Sequence, residues 1–280
     1  MHYKSFSDLT RCIAKNINKI PKDIDLIVGV PRSGLLVANV ISLLLNKPMT
    51  DIQGLFCDRL IANGVTKHNG AFIKSVKDCK KILVVEDSIC SGESITKWTE
   101  EIKKQNFGNA EFVFLAVYVV PEKAELADIY FEKVALPRIF EWNIFHHTVI
   151  LKKTCCALEG VLCAKPLKTQ TNGERYLRYI KTARPKIIPS CEIGYIVTAR
   201  PDTYRAETEK WLRDNGVKYG SLTMRDNLAE SETDFKSRIY KATDNAMMFI
   251  EGDEKNAKAI FADTQKPVYC VQNNKMYDVE

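Results

Sequence analysis

The sequence predicts an α/β protein made of two doubly wound parallel-sheet domains, and three observations carry that expectation. In the first half, short apolar runs at residues 25–30, 81–85 and 111–120 alternate with helical patterns at 33–46 and 94–105. Strands that alternate with helices in this way build parallel sheets. The same rhythm restarts after Pro137. At 280 residues, with 45% hydrophobic and 27% charged side chains, the chain is long enough for two globular domains.

Each element has its own justification. Asp-Leu-Ile-Val-Gly-Val at 25–30 is a buried strand, and the Arg-Ser-Gly turn that follows opens a helix over 33–46. Lys-Ile-Leu-Val-Val at 81–85 is a second buried strand, and 94–105 is amphipathic with helical spacing. The run at 111–120 is rich in Val, Phe and Tyr, as strands are. In the second half, strands are expected at 154–158, 192–197, 246–250 and 268–271. Helices are expected at 201–215, closed by Gly216, and at 235–243. The pattern breaks near 145–152, which gives domains of 1–148 and 149–280.

Composition narrows the function classes. The formal net charge is +6, but Lys and Arg are interleaved with Asp and Glu and form no long basic run. That suits anionic ligands such as phosphates and argues against a nucleic-acid partner. The nine cysteines are odd in number and include no Cys-x-x-Cys pair, so structural zinc is not expected. Reduced cysteines fit a cytoplasmic location. No signal-peptide pattern stands at the N-terminus, and no apolar run reaches the roughly 18 residues a membrane span needs.

The most informative stretch is Ile82-Leu-Val-Val-Glu-Asp-Ser-Ile-Cys-Ser-Gly-Glu-Ser-Ile95. An apolar strand delivers Glu86 and Asp87 to its tip, and a loop of small residues then leads into a helix. Open α/β sheets bind ligands at such carboxyl ends. Backbone N–H groups at a helix start, helped by the hydroxyls of Ser88, Ser91 and Ser94, can cradle a phosphate. Hydrogen bonds to a charged group contribute roughly 1.5–3 kcal/mol each, so several together hold a dianion. Carboxylates beside such a cradle repel the ligand unless they serve sugar hydroxyls or a cation.

This stretch resembles the 5-phosphoribosyl 1-diphosphate (PRPP) signature of type I phosphoribosyltransferases. The resemblance implies that Glu86 and Asp87 hold the ribose hydroxyls. It also implies that Ser88, Ile89, Cys90, Ser91, Gly92, Glu93 and Ser94 form the 5-phosphate loop. The family more often has Thr-Gly-Gly-Thr in this loop, and Glu93 must point away from the phosphate. A second strand end, Ile27-Val-Gly-Val-Pro-Arg-Ser-Gly34, resembles the family's pyrophosphate loop and lies about fifty residues upstream. By that likeness Pro31, Arg32, Ser33 and Gly34 bind the diphosphate, with Arg32 forking onto it. Between the two loops the family places a mobile segment. Arg59, Lys67 and His68 are its candidates to neutralise leaving pyrophosphate, and Mg2+ is the expected cofactor.

The second half carries Cys156-Ala-Leu-Glu-Gly-Val-Leu-Cys163, then Ile196-Val-Thr-Ala-Arg-Pro201, Lys236 and Phe249-Ile-Glu-Gly-Asp253. Their order resembles the haloacid-dehalogenase (HAD) superfamily in a capless form. The likeness implies phosphate binding by Thr198, Ala199 and Lys236. It further implies a general acid at Glu159 and Mg2+ ligation by Glu159, Glu251 and Asp253. The nucleophile position is Ala157, which cannot attack phosphorus, so the phosphatase-like domain is inactive as written. Replacement of a native Asp and natural loss of hydrolysis both account for that alanine.

Together the two resemblances imply a phosphoribosyltransferase of glycosyltransferase class. It would transfer 5-phosphoribosyl from PRPP to a glycan hydroxyl, with a partner domain for 5-phosphate removal, similar to enzymes of bacterial surface-polysaccharide ribofuranosylation. The alternatives are a nucleobase phosphoribosyltransferase and a non-catalytic PRPP-sensing regulator. The acceptor wall is expected from Arg59, Glu141, Trp142 and Asn143, with His146 and His147 beside them; a plain interdomain linker is the other account of that last segment. PRPP and a glycan or other small acceptor are the expected partners, and oligomeric state is left open.

Overall fold

The computed structural model describes residues 1–61 and 73–279. The chain divides into two compact units, one of His2 and Lys4–Arg138, the other of Met1, Tyr3 and Ile139–Glu280. Residues 139–148, grouped from the sequence with the first domain, belong to the second unit. The reason is apolar: Ile139 and Ile144 are buried in the second unit's core.

The first unit opens with helix α1 (Phe6–Asn16), whose start is fixed by a reciprocal Ser5–Asp8 capping box. Five parallel strands follow: β1 (Leu26–Gly29), β2 (Met49–Asp51), β3 (Lys81–Ile89), β4 (Glu111–Val119) and β5 (Ile129–Lys133). Helix α2 (Ser33–Leu45) follows β1, the short α3 (Ile52–Phe56) follows β2, and α4 (Glu93–Lys103) follows β3. The sheet order is β2-β1-β3-β4-β5, and every pairing is parallel. β1 is buried throughout, as a central parallel strand covered on both faces must be. From β1 the chain steps outward to β2, then returns to the other side of β1 for β3, β4 and β5. The direction of winding therefore reverses between β1 and β3. In open α/β sheets the crevice outside the carboxyl ends of such a strand pair is the ligand position.

The second unit repeats the scheme with β6 (Thr154–Ala157), α5 (Gly173–Thr182), β7 (Ile193–Pro201), α6 (Arg205–Asp214), β8 (Tyr219–Arg225), α7 (Glu232–Ala242), β9 (Met248–Glu251), α8 (Glu254–Thr264), β10 (Val268–Cys270) and β11 (Lys275–Tyr277). The order is β8-β7-β6-β9-β10-β11, parallel except for the antiparallel last strand. Here the winding reverses between β6 and β9. Their tip loops approach so closely that a Cβ on Gly252 would lie 2.5 Å from the Gly160 carbonyl carbon. Among the described residues no helix is long and apolar enough to cross a membrane.

Candidate functional site

In the first unit the tips of β1 and β3 lie side by side, with Gly29 in register with Val85. The 31–34 turn and the 86–94 segment therefore meet at the switch point. Gly34 makes the meeting close: a Cβ there would lie 2.6 Å from the Val85 carbonyl oxygen and 3.3 Å from Glu86 Cα. The Pro31–Arg32 peptide is cis. Arg32 is exposed and stands at the N-cap position of α2 without a side-chain capping hydrogen bond, while Ser33 follows as the helix's first residue. The Ser33 hydroxyl donates to Asp87 Oδ1 at 2.8 Å, joining the two predicted loops through side chains.

Glu86 and Asp87 have different surroundings. Glu86 is 7% exposed and accepts a 2.5 Å hydrogen bond from the Ser94 hydroxyl. Burial pushes its carboxyl up to about 7, against the Ser94 bond and with help from the Asp87 charge. Asp87 is only half-buried and also meets the Ser88 hydroxyl at 3.5 Å. The predicted phosphate loop is shorter than expected, because β3 runs on through Ser88 and Ile89, which pair with Tyr118 and Val119. Ile89 is buried in an apolar cluster with Ile95 and Ala116, so its side chain faces no ligand. The loop proper is Cys90, Ser91 and Gly92, with Cys90 and Ser91 exposed. Glu93 opens α4 and is exposed. The Ser91 hydroxyl accepts from the Glu93 backbone N–H at 3.3 Å.

Sequence reasoning gave Arg138 no specific role. Its guanidinium is buried and donates to the Ile89 carbonyl at 2.8 Å, bracing the end of β3. Burial pulls its pKa down, offset by the nearby Cys90 and Asp87. An arginine preceding the apolar pair Ile139-Phe140 was the available signal. Arg59 pairs with Asp51 at 2.7 Å on the surface. Lys67 and His68 lie outside the described residues.

The expected acceptor residues are not all in the donor unit. Arg59 is, but Glu141, Trp142 and Asn143 belong to the second unit. There the Trp142 ring stacks on Phe140 with centroids 4.8 Å apart, and Asn143 Oδ1 accepts from the Phe140 N–H at 3.2 Å. His146 is hydrogen-bonded to Ser190 at 2.8 Å, and His147 caps the following turn by accepting from the Ile150 N–H.

In the second unit, Ala157 ends β6 fully buried. Glu159 beyond it accepts from the Thr198 hydroxyl at 2.8 Å and is ion-paired to Arg200 Nε. Burial raises the Glu159 carboxyl, but the Arg200 charge and the hydrogen bonds from Thr198 and Arg200 outweigh it and hold the group below its ordinary value. A carboxylate kept ionised is unsuited to donating a proton, so the general-acid role expected of Glu159 does not match this arrangement. Lys236, 1% exposed, bridges Glu251 at 2.7 Å and Glu232 at 2.6 Å. Burial opposes its charge, but the two carboxylates more than compensate and keep it protonated. Asp253 pairs with Lys165 at 2.7 Å.

Each of the three carboxylates expected to ligate Mg2+ is thus neutralised by a cation. Among the described residues no three acidic, His or Cys side chains converge as a metal-ligand group. The second unit as arranged does not fit the ion. In the first unit Mg2+ would need one or two carboxylates plus phosphate oxygens, and the half-buried Asp87 would be the carboxylate available to it. Ala199 lines a cavity of about 380 Å3 in the second unit together with Glu159 and Arg200.

The switch-point crevice is flanked by an arginine turn on one side and by two carboxylates with a serine-containing loop on the other, in an α/β protein with a parallel sheet. Residues 2–153 match the family of phosphoribosyl transferase domains. The chain belongs to that family, and membership implies phosphoribosyl transfer from PRPP. Among solved structures it is similar to the Helicobacter pylori xanthine-guanine-hypoxanthine phosphoribosyltransferase, at 14% identity over 51% of this chain and 93% of that one, TM-score 0.39. It is also similar to the Pyrococcus horikoshii purine phosphoribosyltransferase, at 22% identity over 50% and 92%, TM-score 0.37. No curated protein matches the sequence.

Proposed function

We propose that the first unit binds PRPP across the β1–β3 crevice and transfers its 5-phosphoribosyl group to a glycan hydroxyl. The observation that carries the donor half is the Ser33–Asp87 hydrogen bond, which couples the diphosphate turn to the ribose carboxylate. In this reading the backbone of residues 31–34 and the Arg32 fork receive the diphosphate. Asp87 and Glu86 take the ribose hydroxyls, and Ser88, Ser91 and Ser94 with the amides of Gly92 and Glu93 take the 5-phosphate. Mg2+, when bound, neutralises developing charge on the leaving diphosphate, with Asp87 and diphosphate oxygens as its holders.

The glycan acceptor is supported by the second unit. Ala157, Thr198, Lys236 and Glu251-Gly-Asp253 stand at strand tips or within a helix in the order of a HAD-like phosphatase. Removal of a 5-phosphate serves a ribosylated polymer, whereas a salvaged nucleotide needs to keep it. With alanine at the nucleophile position the second unit does not hydrolyse.

The test incubates the protein with PRPP, Mg2+ and either galactan-type oligosaccharides or nucleobases, following pyrophosphate release. Turnover with the oligosaccharide supports the proposal. Turnover only with bases replaces it by nucleobase transfer, and PRPP binding without turnover on any acceptor replaces it by a regulator. For the phosphatase-like half, Ala157→Asp restores a nucleophile while Glu159, Glu251 and Asp253 stay paired to Arg200, Lys236 and Lys165; release of inorganic phosphate from the ribosylated product requires those pairs to open, and a variant that stays inert with Mg2+ removes that reading.

A further inference from the structure

The chain's positive charge is not spread evenly. It has 41 Lys and Arg against 35 Asp and Glu, and residues 161–190 hold seven of the former and one of the latter, Glu174. The rest of the chain is balanced at 34 of each, so this one segment accounts for the whole net charge of +6.

Folding gathers that charge on one face of the second unit. Arg175, Arg178 and Lys181 recur every three residues along α5 and share its exposed side, while Tyr179 and Ile180 on the opposite side are buried in the core. The turn before the helix adds Lys168, and the segment after it adds Arg184. Backbone and hydroxyl contacts tie these pieces together: the Ala164 N–H donates to the Arg184 carbonyl at 2.8 Å, and the Tyr179 hydroxyl donates to the Ala164 carbonyl at 2.7 Å. The other two cations of the segment are engaged, Lys165 by Asp253 and Lys186 by the Gly160 carbonyl, each at 2.7 Å. Lys168, Arg175, Arg178, Lys181 and Arg184 are all exposed and in no salt bridge among the described residues.

The arrangement suits a plane more than a thread. Proteins that hold a polyanionic strand place it in a basic groove with aromatic platforms. Here the five cations stand on the outer side of a helix and its flanking turns, and none of them lines the cavity of about 380 Å3 that opens past Tyr176. Among them, Leu167 is 65% exposed between Pro166 and Lys168. An apolar side chain at a turn tip flanked by lysines is poorly placed in water and well placed at a lipid interface.

We propose that the outer side of α5 with its flanking turns docks the protein onto an anionic lipid surface, the five cations over the headgroups and Leu167 at the acyl boundary. A cation held close to an anionic leaflet adds about fivefold to binding, and a leucine moved out of water about tenfold. Two such signals together make a reversible peripheral anchor. The inference is independent of what either unit catalyses.

The experiment sediments the full chain with phosphatidylcholine vesicles, with and without phosphatidylglycerol, at low and at physiological salt. Partition into the phosphatidylglycerol vesicles alone, weakened by salt, is expected. Replacing three cations together, Arg175→Gln with Arg178→Gln and Lys181→Gln, should lower that partition about a hundredfold, and Leu167→Ser about tenfold. Lys15→Gln with Lys19→Gln and Lys22→Gln removes the same charge from exposed positions of the first unit and should lower it far less. No partition at low salt, equal partition into phosphatidylcholine, or equal loss in the two triple variants overturns the proposal. Tighter binding to soluble polygalacturonate or single-stranded RNA than to the vesicles also overturns it, making a polymer the occupant. Unchanged partition of Leu167→Ser overturns the seating of that turn. If the α5 triple variant does not fold by circular dichroism, Arg178→Glu must weaken partition in its place, and unchanged partition then overturns the proposal.

Discussion

Ser33 and Asp87 stand 54 positions apart in the chain, yet the hydroxyl of one donates to the carboxylate of the other at 2.8 Å. The contact exists because β1 and β3 are neighbours in the sheet while their following helices wind in opposite directions. It makes the two halves of the donor crevice one unit.

Removing that bond should be felt in ligand affinity more than in folding. Ser33→Ala is expected to weaken PRPP binding by roughly three- to tenfold, the worth of one net hydrogen bond, with little change in melting temperature. Asp87→Asn should weaken it more, because the carboxylate proposed to serve both the ribose hydroxyls and the cation loses its charge. Calorimetric titration with PRPP and Mg2+ checks both; unchanged affinity in Asp87→Asn removes the ribose assignment.

Glu86 links the site to pH. Its folded carboxyl is raised by burial to about 7, from an ordinary 4.5. For an acid shifted upward the folded state favours the protonated form. The group therefore costs nothing below about 4.5, and the cost grows as pH rises to about 7 and is constant above that. The full penalty is about 3 kcal/mol. Glu86→Gln should accordingly melt higher than the parent at pH 8 and match it at pH 4. A thermal-denaturation series across that range reads the difference, and a gap that does not close on acidification contradicts the burial argument.

Gly34 is the tightest point of the crevice. Gly34→Ala would place a methyl 2.6 Å from the Val85 carbonyl oxygen, so α2 must shift away from β3. Overpacking of this kind costs about 1–3 kcal/mol, and the shift would carry Ser33 away from Asp87. Lower stability together with lost PRPP affinity is the expected pair of results in denaturant titration and binding assays.

The Lys236–Glu251 pair offers a test in the second unit. Both side chains are 1% exposed. Lys236→Met leaves a buried carboxylate unpaired and should cost about 3–5 kcal/mol. Lys236→Met with Glu251→Leu removes both charges and should recover most of that loss. Urea unfolding of the two variants separates the penalty of an orphaned charge from the net worth of the pair.

The tip of β3 was legible from sequence because an apolar run ending in Glu86-Asp87 and small residues has few other uses. The end of that strand was not, because Ser88 reads as loop, while sheet pairing to Tyr118 carries the backbone two residues further. β2 and β5 escaped notice for a different reason. At three and five residues they are short, and neighbouring strands define them more than their own pattern does. β8 and helix α5 were missed as well: Tyr219–Arg225 alternates weakly and contains Gly220, and α5 begins at a glycine. In the second unit the order of Ala157, Thr198, Lys236 and Glu251 was readable, but their pairing was not. Arg200 sits in a motif noted for its threonine, and its full burial against Glu159 is decided by packing across β6 and β7.

The buried grip of Arg138 on the Ile89 carbonyl has a practical consequence for anyone dividing the polypeptide. Arg138 is the last residue of the first unit, and its guanidinium secures the far end of the strand that carries Glu86 and Asp87. A fragment stopping at Pro137 would retain every residue of the donor crevice and yet leave the rim of that crevice untied. The cut belongs on the far side of the arginine.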